Sequence, residues 1–305
     1  MKRGLLTMLT GLFVRPFERR RPPSKKVAIL VPMSTKAELS QEEEISRRQL
    51  LHHLPGYDKY LLIPEGLPLH LDGFRSMEFP RRFFGSASAH GKLLGTRGFY
   101  RRFLDYDYIF FYHFDSLAFS DELEEWCDKG IDYIGPPWIK CDDSPWVDRP
   151  RVGNGGFTLL RVESALKAIT NRYLTTPSYF WYDLFNMHAP KWLVAVVGKL
   201  EAPFPNVKIL RRLMEEWREM ENPAAHNRNN DIFWSDLAAE YVPGFKVASL
   251  EDGLRFAFEV SPRTCLEMNG GKMPFGCHAW ARYDRAFWEP FIVSENPVEE
   301  KRHAS

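Results

Sequence analysis

The chain has little of what marks a specialised class of protein. Its four cysteines, Cys127, Cys141, Cys265 and Cys277, are widely spaced and form no C-x-x-C pair. That removes a disulfide framework and leaves free thiols in a reducing, cytoplasmic setting as the expectation. A zinc site from Cys265, Cys277 and His278 fails on ligand spacing. Lysines and arginines number 41 against 40 acidic residues, a formal charge of +1. So small an excess argues against a general polyanion binder, and no nucleic-acid partner is expected. There is no internal repeat, no low-complexity tract and no apolar run long enough to span a bilayer. Dense His/Asp clusters of the kind a two-metal phosphodiesterase needs are also missing.

What remains is a chain of 305 residues, 44% hydrophobic and 27% charged, long enough to bury a substantial core. Residues 1–26 form a basic, partly apolar leader, 27–290 read as one domain with an insertion at about 173–228, and 291–305 form a charged tail. Within the leader, Lys2 and Arg3 precede an apolar stretch ending near Phe17, and Arg19-Arg20-Arg21 follow. No small-residue cleavage site marks it as a signal peptide. Leu5, Leu6, Leu9, Leu12 and Phe13 recur at helical spacing. Two readings stay open: an interfacial helix bringing residues 1–21 to the inner face of an anionic membrane, or a disordered basic arm.

Beyond the leader, strand and helix patterns alternate. Val27–Val31 is a continuous apolar run, as in a buried parallel strand. Ser40-x-x-Glu43 is a capping box opening a helix, and Tyr60–Ile63 is a second strand, completing a βαβ unit. A short strand over Arg75–Phe79 leads to a helix over Ala89–Leu104, then to the apolar strand Tyr108–Phe114. Ser120 is the expected cap of the next helix and Gly130 its stop, before strands at Ile131–Gly135 and Gly156–Leu160. The alternation predicts an α/β fold with a mostly parallel sheet flanked by helices. The insertion carries the aromatic cluster Tyr179–Tyr182 and an amphipathic helix over Asn206–Met220.

Four places could carry chemistry. Gly153-Asn154-Gly155-Gly156 leaves a backbone almost free of side chains, suited to a tight turn or to close approach by another molecule. Asp115 follows an apolar strand, where a carboxylate either forms a turn or grips a cation. Asn230 is the expected cap of a helix whose first turn holds Asp231, a capping acid or an ionised base. His278 lies between a glycine turn and Trp280, either a hydrogen-bonded structural imidazole or a metal ligand.

Taken together, the blocks Val27–Pro32, Ser40–Gln49, Tyr108–Ser120, Asp121–Cys127, Tyr133–Trp138, Val152–Arg161, Asn229–Trp234 and Pro274–Trp280 resemble a bacterial glycosyltransferase-like family. That family is related to the GT-A nucleotide-sugar transferases. The resemblance implies a GT-A-like, Rossmann-like fold and a nucleotide-sugar donor, UDP-linked on family grounds. It implies a glycan or lipid-linked acceptor and a divalent cation, Mn²⁺ or Mg²⁺, held by Asp115 and His278. Asp231 is implied as the catalytic base of an inverting transfer. Pro32, Glu65, Lys92, His113, Asn154, Gly155 and Gly156 would meet the donor, and Phe157, Trp181 and Asn230 the acceptor. The sequence differs from that pattern twice: the usual Asp-x-Asp reads His113-Phe114-Asp115, and Asn230-Asp231 stands where relatives carry Glu-Asp. A non-catalytic glycan- or nucleotide-binding protein on the same fold is the alternative.

Overall fold

Helix α1 (Lys2–Phe13) precedes β1 (Lys25–Pro32), whose residues Ala28–Val31 are wholly buried in the computed structural model of the protein. The structure describes residues 2–19, 21–189 and 230–294. The expected helix over Asn206–Met220 and the charged tail beyond residue 294 lie outside them. Contacts group the chain into two compact units, one built around sheets (24–79, 106–161 and 246–305) and one around helices (1–23, 80–105 and 162–245).

In the sheet unit, α2 (Gln41–His53) begins as the capping box requires. The Glu43 amide donates to Ser40 Oγ and the Ser40 amide donates to Glu43 Oε2, so two orphan amides are satisfied. Then come β2 (Asp58–Pro64) and β3 (Arg75–Phe79). In the helical unit the helix expected over Ala89–Leu104 is divided into α3 (Ala87–Leu94), α4 (Arg97–Tyr100) and a 3₁₀ turn at Arg101–Phe103. The break falls at Gly95-Thr96, where the Thr96 side chain accepts from the Phe99 amide and starts a new helix.

Strand β4 (Tyr106–Tyr112) stops two residues earlier than its apolar run, because His113–Ser116 turn toward the short strand β5 (Leu117–Ala118). Helix α5 (Leu123–Asp128) begins after Glu122, so Ser120 is not its cap, whereas Gly130 does close it at φ 65°. The short strands β6 (Tyr133–Ile134), β7 (Pro137–Trp138) and β8 (Arg151–Val152) lead to β9 (Phe157–Arg161). The helical unit resumes with α6 (Val162–Thr175) and α7 (Pro177–His188). Two last short strands, β10 (Ala257–Phe258) and β11 (Gly276–Cys277), return the chain to the sheet unit.

The main sheet has the order β3-β2-β1-β4-β9-β6. Its first four strands are mutually parallel, as the βαβ pattern predicts, and β9 runs antiparallel to both its neighbours. The fold is therefore mixed α/β with a mostly parallel sheet flanked by helices. Its core is aromatic: Phe110, Phe157, Phe256 and Phe275 meet at ring distances of 4.8–6.3 Å. Phe157 is fully buried there, which corrects the expectation that it faces an acceptor. A second sheet, β10-β11-β5, has β10 parallel to β11 and β5 antiparallel to it.

Candidate metal and nucleotide site

That small sheet explains how residues far apart in sequence become neighbours. Glu259 follows β10, His278 follows β11, and Asp115 precedes β5 by one residue. Since β10 and β11 run together and β5 runs against them, all three side chains emerge at the same edge. Backbone bonds lock the arrangement: the His278 amide donates to the Phe258 carbonyl (2.9 Å), the Trp280 amide to Asp115 O (3.1 Å) and the His113 amide to Gly156 O (2.9 Å).

His278 lies between two carboxylates. Its Nε2 is 3.3 Å from Asp115 Oδ1 and its Nδ1 is 2.9 Å from Glu259 Oε1. Carboxylate oxygens only accept, so Nδ1 donates to Glu259 and, in the charged ring, Nε2–H faces Asp115; a metal at Nε2 would displace that proton. Glu259 is held in turn by Asn154, whose Nδ2 donates to the same Oε1 at 2.7 Å. The Gly156 amide donates to Asn154 Oδ1 at 2.7 Å, closing a chain of contacts from Asp115 to the glycine-rich turn.

The glycines there are sterically required. A Cβ on Gly156 would lie 2.0 Å from His278 Nε2, so the imidazole occupies the space a side chain would take. A Cβ on Gly153 would meet the Trp138 ring at 2.2 Å. The turn is therefore tight, and the room its glycines leave is taken by rings of the same chain. Beyond His278, Ala279 adopts φ 52°, a left-handed conformation that costs a residue with a Cβ roughly 1–2 kcal/mol.

Charge follows the same geometry. Burial works against a charged His278, but Asp115 and Glu259 outweigh it and push its pKa up to about 10. Desolvation likewise opposes an ionised Asp115, yet the adjacent imidazole holds its carboxyl far below the usual range. Asp115 keeps 51% of its side chain exposed, so it sits at a rim rather than in the interior. Burial lowers His113 to about 4, which leaves it neutral near pH 7. Its ring meets that of His278 edge-on, 5.6 Å away.

His113, Asp115 and His278 each offer one donor atom, and these atoms lie within 4.8 Å of one another. The donor set fits a divalent transition metal: one carboxylate, one neutral imidazole, and a second imidazole whose Nδ1 is fixed by Glu259. His113, expected beside the donor, thus joins Asp115 and His278 in a single cluster.

The other expected residues divide between the units. Pro32 ends β1 and Glu65 follows β2, so both lie at the carboxyl edge of the parallel strands, the edge at which His113–Asp115 leave β4. Asn154 and Gly155 are half-buried beside the cluster. Lys92, Trp181, Asn230 and Asp231 belong to the helical unit. Trp181 donates to Thr10 Oγ1 (3.1 Å) and meets Phe13 edge-on, while its neighbours Phe180 and Tyr182 are buried as a satellite core. Asn230 is already helical rather than a cap, and its Oδ1 accepts from the Trp234 indole at 2.8 Å. Asp231 stands in the first turn of that helix. Glu259 was not singled out from sequence. Its signal was a lone acid in the apolar run Phe256–Val260.

The chain belongs to the family DUF5672, described as a protein of unknown function, which matches residues 73–278. No curated protein sequence matches it. Among solved structures it is similar to the glycosyltransferase GlyE of Streptococcus pneumoniae TIGR4, at 9% identity and a TM-score of 0.41. The apo-form of that glycosyltransferase gives 10% and 0.40. Both alignments cover 89% of this chain but only 61% of those structures, so the chain spans less than two thirds of their length.

Proposed function

We propose that the protein is a metal-assisted glycosyltransferase of GT-A type, moving a sugar from a nucleotide donor, UDP-linked on the family resemblance, to a glycan or lipid-linked acceptor. The observation that carries this reading is the convergence of His113, Asp115 and His278 at the carboxyl edge of the sheet. In open α/β sheets that edge is where ligands bind. Two imidazoles and a carboxylate suit Mn²⁺ better than Mg²⁺, which prefers oxygen ligands.

A bound cation would supply positive charge opposite the diphosphate leaving group, lowering the cost of breaking the sugar–phosphate bond. The chain's own residues do the rest. Glu259 holds the proton on His278 Nδ1, so that Nε2 can serve as donor atom. Gly155 is assigned to the donor, with Asn154 fixing the turn, while Gly156, also expected at the donor, seats the His278 ring. Pro32 and Glu65 are assigned to the nucleoside and Lys92 to the diphosphate. Asp231 takes the acceptor hydroxyl's proton, with inversion at the anomeric carbon. Its place in a first turn favours an ionised carboxylate, and the π-helical turn at Phe233–Leu237 that follows is a feature often found at functional sites. Trp181 and Asn230 are assigned to the acceptor.

The test is isothermal titration of UDP with and without Mn²⁺, beside donor-hydrolysis and transfer assays across a donor panel. Metal-dependent UDP binding with turnover supports the transferase. Tight binding without turnover on any donor would favour the second reading, a non-catalytic binder, which the replacement of the first Asp-x-Asp carboxylate by His113 motivates. An Asp231→Asn protein that transfers at the original rate removes that residue's role.

A further inference from the structure

Helix α1 packs on α6 and α7 of the helical unit. Thr10 is fully buried and Val14, just past its end, is 1% exposed; Thr10 also receives the Trp181 N–H. A helix seated this way normally turns polar residues to water. Here the side opposite Thr10 carries Met8 and Leu12, both 67% exposed, while Phe13, 63% exposed, lies at the flank with its ring against those of Phe180 and Trp181. Met8 and Leu12, four residues apart, share one helical side, and Phe13 borders it next to the cleft described below. The inner face is already packed, so these side chains are not a core waiting to form.

Beside Leu12 and Phe13 opens a cleft of about 940 Å³, lined by Arg15, Arg19, Arg21, Arg97 and Arg101 against Glu18 and Asp105. Arg19 is committed to structure: its Nη1 donates to Leu104 O and its Nε lies 3.5 Å from Glu163. Arg15, Arg21, Arg97 and Arg101 form no ion pair among the described residues. Arg97 is half-buried, and both burial and the neighbouring Arg101 disfavour its charge. Gathering five cations around two acids costs free energy, which an anionic ligand would recover.

We infer that α1 and this arginine cleft form one docking surface for an anionic phospholipid bilayer, with Met8, Leu12 and Phe13 entering the acyl boundary and the arginines meeting headgroup phosphates. Apolar side chains next to a cationic cleft match the layering of such a membrane, apolar below and negative above. Among the described residues no helix is long and apolar enough to cross a membrane, so the contact is peripheral. It is independent of the transfer reaction.

The experiment is sedimentation of the full chain with vesicles of phosphatidylcholine alone or mixed equally with phosphatidylglycerol. Binding is expected to the mixed vesicles only and to weaken with salt. Two double variants, Leu12→Ser with Phe13→Ser and Arg15→Glu with Arg101→Glu, should each weaken it at least ~10-fold. All four positions are exposed, and unchanged circular dichroism would show that the fold persists. Failure to sediment with the anionic vesicles overturns the inference. So does binding that the Leu12/Phe13 variant leaves intact and inorganic phosphate abolishes, which would make the cleft a site for soluble anions. Self-association by light scattering, lost in the Leu12/Phe13 variant without any vesicle binding, would instead assign the surface to a second copy.

Discussion

Both units contain a polar network among aromatic side chains, and the two end differently. In the helical unit, Arg172 and Asp183 are 6% and 8% exposed at the side chain and 3.7 Å apart. Arg172 donates to Gly95 O, lies over the Tyr179 and Phe233 rings, and Asp183 accepts from Tyr173. Those groups point inward, at each other. In the sheet unit the chain from Gly156 through Asn154, Glu259 and His278 finishes at Asp115, half of which faces solvent. A network closed on itself fixes a fold, whereas one that terminates at a rim can bind something.

That contrast can be broken most directly at its open end. Asp115→Ala should weaken Mn²⁺ binding by at least ~100-fold by calorimetry, since each ligand's loss removes a charge-assisted bond. Thermal stability should fall less than at a buried pair, because half of the Asp115 side chain faces solvent, although its ion pair with His278 is lost. Asp183→Asn should do the reverse. Stranding Arg172 is expected to cost about 3 kcal/mol in denaturant unfolding and to leave metal affinity alone. Gly156→Ala should do both, because its methyl collides with the imidazole: about 2 kcal/mol of destabilisation together with ~10-fold weaker Mn²⁺ binding.

The smallest expected effect is at Asp58, far from either network's end. Hydrogen bonds from Lys25 and Tyr106 lower its pKa. A group lowered in the folded state stabilises above its unfolded pKa, and that stability fades as pH falls through the folded value. Asp58→Asn should therefore cost ~0.2–1 kcal/mol at pH 7. The loss should shrink in acid, where protonated Asp58 resembles the amide. Unfolding curves measured from pH 7 to pH 3 would show whether the difference closes.

The parallel half of the sheet was legible because Val27–Val31 and the Ser40 capping box state their structure locally. Asp115 and His278 were legible as candidates for a similar reason, each following an apolar segment. Three things were not. The antiparallel β9 follows from pairing partners, which local patterns do not encode. The end of β4 at Tyr112 depends on a turn braced by the Tyr112 hydroxyl donating to Ser116 O. Phe157 reads as accessible beside three glycines, yet it is buried among Phe110, Phe256 and Phe275, and a distant glycine makes room for it. A Cβ on Gly276 would sit 2.1 Å from its ring.

One consequence follows from the way the His278 ring is seated on Gly156. A ring resting on bare main chain cannot move toward it, and Glu259 ties the ring to Asn154 of the same turn. The placement of the imidazole and the shape of the 153–156 turn are therefore set together, so a substitution in the turn is felt at the ring.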